Sequence, residues 1–153
     1  MNERRFEAIR REHVAIRQAL DRLDAAVGAA ASAPSSQRRP ALVAAVEAFL
    51  REEARLLHHM AAEEADVIVL LERHVPAEAG SAAVLREEHE TARALLTLLR
   101  RDLARVDAGA AEAAPGLAAV SQDLSKLLRG HLHKEDDVVH PLLRRLLSGS
   151  RRV

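Results

Sequence analysis

LLHHMAAEEADVIVLL, residues 56–71, and LLRGHLHKEDDVVHPLL, residues 127–143, share one arrangement: a histidine followed four residues later by a glutamate, in apolar surroundings. The pairs are His59 with Glu63 and His131 with Glu135, set 72 residues apart. Residues four apart on a helix project from one face, so each pair offers a nitrogen and a carboxylate in the same direction. A single such pair is weak evidence, because 15 of the 153 residues are Glu and any histidine meets one at this spacing by chance. A second copy in the same context is harder to dismiss. Each pair is also preceded on an earlier helix by a histidine in an apolar stripe, His13 before the first and His89 before the second.

Outward from these pairs, apolar residues recur in steps of three and four, which marks helices. The first stripe reads Phe6, Ile9, His13, Ile16, Leu20, Leu23, Val27, and Gly28 with the Ala-, Ser- and Pro-rich segment 29–37 is expected to end that helix. A second helix is predicted from near Pro40 to about Arg73, stopped by Pro76, with Val46, Phe49, Leu56, His59, Glu63, Val67 and Leu70 inward. Ser81 is the expected N-cap of a third, whose stripe is Leu85, His89, Ala92, Leu96, Leu99, Leu103, Val106. After a loop over Gly109 to Gly116, a fourth carries Leu117, Val120, Leu124, Leu128, His131, Glu135, Val138, Leu142 and Leu146 until Gly149, with a kink at Pro141. No strand-like alternation occurs. Four long helices with short connections predict an all-α, antiparallel up-down-up-down four-helix bundle, one domain over residues 1–149 with a short tail at 150–153. Arg17 aligns with Arg93 and Leu20 with Leu96, so the halves are expected to be related by a pseudo-twofold.

Composition narrows the function classes. Net charge is zero and the basic pairs are scattered among acids, so no face for nucleic acid is expected. Cysteine is absent, which removes disulfides, thiolate ligands and a Cys nucleophile and leaves nitrogen and oxygen as the metal donors. The N-terminus lacks the apolar core of a secretory signal, and Val67 to Leu71 is too short to cross a bilayer, so a soluble cytoplasmic protein without a membrane partner is expected. Two Phe, with no Tyr or Trp, exclude base stacking and tyrosyl radical chemistry.

A carboxylate in an aliphatic core is costly unless its charge is paired, and no inward Lys or Arg is evident here. Two divalent cations would supply the pairing. Four histidines and two glutamates without a thiolate suit iron, manganese or zinc.

With REH at 11–13, HHMAAEE at 58–64, EEH at 87–89 and HLHKEDDVVHP at 131–141, the chain resembles the hemerythrin-like (HHE cation-binding) family over nearly its whole length. The resemblance implies a non-haem di-iron centre between four helices, with His13, His59, His89 and His131 as terminal ligands and Glu63 and Glu135 as bridges. The oxygen carriers of that family have a further histidine where this chain has Arg93, which leaves one metal short of a protein nitrogen. They also place the last carboxylate five residues after its histidine, the position of Asp136. Glu135 is taken as the ligand here, with Asp136 as its alternate.

The function implied is binding or sensing of dioxygen, peroxide or nitric oxide at two iron ions, or iron handling. The alternatives are an iron-dependent enzyme that decomposes peroxide and a structural or zinc-binding bundle without redox chemistry, with manganese a further candidate metal. No protein partner is indicated. Glu-x-x-His is absent, against a ferritin-like oxidase, and so is His-Glu-x-x-His, against a zinc hydrolase. His58, His133 and His140 are expected at the surface or at an interface, with the direction of His140 left open by Pro141 after it, and His74-x-x-x-Glu78 is discounted because Pro76 interrupts it. Glu52, Glu53, Glu64, Glu87 and Glu88 read as solvated helix faces, although Glu12 and Glu88 are also placed to orient ligands.

Overall fold

The computed structural model describes residues 3–76 and 80–149. Glu78 and the tail at 150–153 lie outside the described residues. Among the described residues there is no strand, and seven α-helices follow one another: α1 (Glu3–Ser32), α2 (Ser35–Leu50), α3 (Glu53–Glu63), α4 (Val69–His74), α5 (Ser81–Asp107), α6 (Ala114–Lys134) and α7 (His140–Gly149). A π-helical turn, Glu64–Ile68, joins α3 to α4, and a second, Glu135–Val139, joins α6 to α7. The four expected helices are thus observed as seven segments. The second is interrupted at Arg51–Glu52 and at a π turn, and the fourth at the other π turn.

Several expected boundaries are corrected. Helix α1 runs through Gly28 to Ser32, and α2 starts at Ser35, so the connection is Ala33–Pro34 and not a loop of about ten residues. Alanine is the strongest helix former, and a run of it between Gly28 and Ser32 continues the helix instead of ending it. Pro40 lies inside α2 rather than in its first turn. Gly80, with φ 69°, occupies the N-cap expected of Ser81, which is the first residue of α5. The loop expected over Gly109–Gly116 is shortened by a 3-10 turn at Ala111–Ala113 and by α6, which starts at Ala114 with Pro115 in its first turn. Pro141 follows the second π turn: proline has no N–H to return to the carbonyl four residues back, and the chain widens just before it.

Packing follows the apolar stripes. Helix α1 lies along α2 and α6, α5 along α6, and α2 against α5. Two apolar clusters result. The larger gathers Leu20, Leu23, Val46, Met60, Leu96, Leu99, Leu117, Leu124 and Leu132; the smaller gathers Phe6, Ile9, Val67, Ile68, Leu71, Leu85, Val139 and Leu143. Each burial of a large side chain is worth roughly 1.5–3 kcal/mol, which is what fixes the helices in register. The chain passes between the clusters four times in alternating order. It runs from Ile9 to Ile16 past His13, from Met60 to Val67 past Glu63, from Leu85 to Ala92 past His89, and from Leu132 to Val139 past Glu135. The polar residues therefore occupy a layer between two apolar blocks. Among the described residues no helix is long and apolar enough to cross a membrane.

Candidate metal centre

His13 on α1, His59 and Glu63 on α3, His89 on α5, His131 on α6 and Glu135 at the start of the second π turn are all buried, none more than 3 % exposed. The six groups meet in that polar layer. Glu63 spans it: Oε1 lies 3.3 Å from His13 Nε2 and 2.9 Å from His59 Nε2, while Oε2 lies 3.3 Å from His89 Nε2 and 3.7 Å from His131 Nε2. Glu135 presents Oε2 at 3.2 Å from His13 Nε2 and 3.5 Å from His131 Nε2. Among the described residues three groupings of possible ligands emerge: His13, His59, Glu63 and Glu135 on one side, Glu63, His89 and His131 on the other, and His13, Asp136 and His140 beside the first.

Every imidazole turns its Nε2 inward because its Nδ1 is held from outside. Nδ1 of His13 meets Asp136 Oδ1 at 3.1 Å, of His59 Glu12 Oε2 at 2.9 Å, of His89 Glu64 Oε1 at 3.0 Å, and of His131 Glu88 Oε2 at 3.0 Å. A carboxylate only accepts, so each Nδ1 carries a proton, and a ring without a second proton directs its Nε2 lone pair at the centre. Cations steady the outer carboxylates in turn. Arg17 pairs with Asp136, Arg93 with Glu64 at 2.7 Å, and Lys134 with Glu88. These cations hold Glu64, Glu88 and Asp136 below their ordinary carboxyl range, against the opposing effect of burial.

With neutral rings the inner groups are all acceptors. His89 Nε2 and His131 Nε2 face each other at 3.2 Å, a contact that becomes favourable when a proton sits on one of them or a metal cation lies between them. His59 Nε2, Glu63 Oε2 and both Glu135 oxygens are buried without a hydrogen-bond partner. Leaving a buried charge uncompensated costs about 3–5 kcal/mol, so this donor set calls for positive charge. In the metal-free protein protons supply it. Burial alone would depress His13, but the Glu135 and Glu63 carboxylates push it up to about 10. His131 is likewise depressed by burial, yet Glu63 and Glu135 bring it up to about 9. Glu63 is held well below its usual range by the surrounding imidazoles despite its burial, whereas burial and the neighbouring Glu63 charge push Glu135 upward. Nitrogen and carboxylate donors without sulfur fit iron, manganese or zinc.

Two outer positions, Glu64 and His140, correct the sequence reading, and a third, Asp136, is placed beside the inner ring. Glu64 is not merely solvated but links His89 to Arg93. Asp136, the alternate ligand, lies outside the inner ring on His13 Nδ1. His140 is 3 % exposed, not superficial: it stacks on His13 with centroids 5.0 Å apart, meets the Phe6 ring edge-on, and places Nδ1 3.1 Å from Asp136 Oδ1. Burial and the nearby His13 charge bring His140 down to about 4. His58 and His133 are exposed as expected, and Glu12 and Glu88 do contact ligand-type histidines.

The family description Hemerythrin HHE cation binding domain matches residues 4–143 of the chain. No match was found among curated proteins or solved structures.

Proposed function

The chain belongs to the hemerythrin HHE cation-binding family, and from that premise we propose that it holds two iron ions and binds dioxygen, peroxide or nitric oxide, in sensing, redox protection or iron handling. The observation that carries this reading is the inward ring of acceptors: four Nε2 lone pairs and two buried carboxylates, with no buried Lys or Arg among them. On this reading the seven helical segments form four antiparallel rods, up-down-up-down, and each rod brings one inner histidine to the polar layer. His13, His59, His89 and His131 would hold the ions through nitrogen, and the Glu63 and Glu135 carboxylates would be shared between them. Bound ferrous ions supply the electrons that such small ligands accept.

The chain's own groups set the conditions. The outer carboxylates fix the tautomer of each histidine and raise its basicity as a ligand. The apolar blocks on either side keep the polar layer dry, which strengthens every charge interaction within it. Metal analysis and an optical spectrum after anaerobic iron loading and exposure to air test the proposal. Two irons per chain with near-ultraviolet charge-transfer bands are expected, and His59→Ala or Glu63→Ala should lower the iron content. Iron contents near zero in the loaded wild-type chain would overturn the reading.

A second reading has one observation in its favour. The grouping of His13, His59, Glu63 and Glu135 offers two nitrogens and two carboxylates, donors that zinc accepts and a number that matches its tetrahedral coordination. Zinc as the sole metal retained on purification, with no iron uptake, would favour a bundle without redox chemistry.

A further inference from the structure

Three of the four outer carboxylates are covered by a cationic side chain and one is not. Arg17 pairs with Asp136, Arg93 with Glu64 and Lys134 with Glu88. Among the described residues no Lys or Arg pairs with Glu12, which accepts from Nδ1 of His59 at 2.9 Å. The Glu12 side chain is 34 % exposed, whereas that of Glu88, its pseudo-twofold counterpart, is 14 % exposed.

One exchange between the halves accounts for the difference. Lys134 stands three residues after His131, and the residue three after His59 is Ala62. Alanine has no side chain to reach across to the carboxylate, so a groove of about 380 Å³ remains, with Glu12, Ala62 and the exposed His58 in its wall. The matching groove of the other half measures about 220 Å³; Lys134, Val84 and Val138 line it, and Glu88 does not. Arg5 also borders the first groove, but Asp66 holds it in an ion pair.

Resting on the metal-centre reading above, we propose that the groove over Glu12 is the port by which a divalent cation enters the centre, and that Ala62 keeps it open. The apolar blocks on either side of the polar layer offer nothing to replace the water around such an ion, so passage through them is costly. The edge of the layer is the remaining approach. At Asp136, Glu64 and Glu88 a cationic side chain already offsets the carboxylate, whereas Glu12 presents its charge to solvent and attracts the ion. His58 adds a nitrogen donor to the same wall. Directly behind Glu12 stands His59, whose Nε2 faces Glu63 at 2.9 Å in the inner ring. In the other half Lys134 closes the equivalent route, so the pseudo-twofold supplies a matched control.

Cobalt(II) serves as the probe. Its uptake by the chelated, metal-free chain is followed by stopped-flow through the visible absorption of the bound ion, with final metal content measured on the same samples. Ala62→Lys places a cation where the other half has one and should slow uptake by roughly tenfold or more, with the final content unchanged. Ala62→Gln fills the groove without adding charge and should slow it by a smaller factor, which keeps the port testable if the lysine variant does not fold. Val138→Lys adds the same charge to the groove that Lys134 already closes and should change the rate less than about twofold. Uptake unchanged in both Ala62 variants at full metal content, or slowed as much by Val138→Lys as by Ala62→Lys, would overturn the assignment. So would slower uptake accompanied by a loss of final content, since the effect would then lie in the support of His59 and not in entry. A wild-type chain that binds no metal would instead defeat the metal-centre reading itself, an outcome visible in the metal analysis before any rate is compared.

Discussion

Glu88 shows how much a single outer residue governs. Its Oε2 holds His131 Nδ1 at 3.0 Å and its Oε1 is paired with Lys134, so the imidazole is fixed in tautomer and direction before any metal arrives. Glu88→Gln replaces the charge with a weaker acceptor and should lower metal affinity by about 10- to 100-fold, read by competition against a chelator, with the fold intact by circular dichroism. An unchanged affinity would mean that His131 is oriented by packing alone. His140 behaves differently. Its Nε2 is buried without a partner, while Asp136 keeps Arg17 and His13 if the His140 contact is lost. His140→Leu should therefore stabilise the metal-free fold by about 1 kcal/mol, since an unpaired buried acceptor is removed for one hydrogen bond. A drop in the denaturation midpoint would show that the Asp136 bond outweighs the orphan nitrogen. Helical arithmetic misplaced this residue for a physical reason. Nine residues at about 100° each set His140 opposite His131, but a π turn holds one extra residue and rotates the chain back toward the seam. The six inner residues were legible because i,i+4 spacing and stripe position survive in one dimension. Glu64 was not, because its partners His89 and Arg93 lie 25 and 29 residues away on another helix.

At the scale of elements, the apolar stripes located the helical stretches, and the errors fell at their ends and at the interruptions within the second and fourth. Gly28 and the residues after it look like a terminator only if glycine is read without its neighbours. Within α1 it is an interior residue at which an added Cβ would meet nothing within 4 Å. Gly28→Ala should accordingly stabilise the fold by roughly 0.5–1 kcal/mol, through lower backbone entropy in the unfolded chain. Gly80 is the contrasting case. It holds φ +69° at the start of α5, where a Cβ would be strained although space is open, and Gly80→Ala should cost about 1–2 kcal/mol. Chemical denaturation of both variants checks the pair, and a gain at Gly80 or a loss at Gly28 would contradict the assigned roles. The π turns were beyond a periodicity argument, which assumes 3.6 residues per turn throughout. The first begins directly after its inner carboxylate, at Glu64, and the second at its inner carboxylate, Glu135, a frequent place for such widening.

Across the whole molecule the two halves are laced together by their outer carboxylates. Glu12 serves His59 and Glu88 serves His131 within a half, but Asp136 crosses to His13 and Glu64 crosses to His89. Neither half can complete its own histidines, so the repeat seen in sequence is one cooperative site. That coupling gives the molecule a pH signature. In the metal-free protein His13 stands at about 10 and His131 at about 9, both above the ordinary imidazole value of 6.5. The folded state thus binds these protons more tightly than the unfolded state. Their stabilising contribution is complete below pH 6.5 and is lost as pH rises through the folded values. Metal ions displace the protons and take over the neutralisation, so the loaded protein has no such loss to suffer over the same interval. The thermal midpoint of chelated protein should fall between pH 6.5 and 10, whereas that of metal-loaded protein should stay nearly level, and the gap between the two curves should widen with pH. Parallel curves would mean that the acceptor ring is neutralised by something other than protons when the metal is gone, and the account of the buried carboxylates would fail with it.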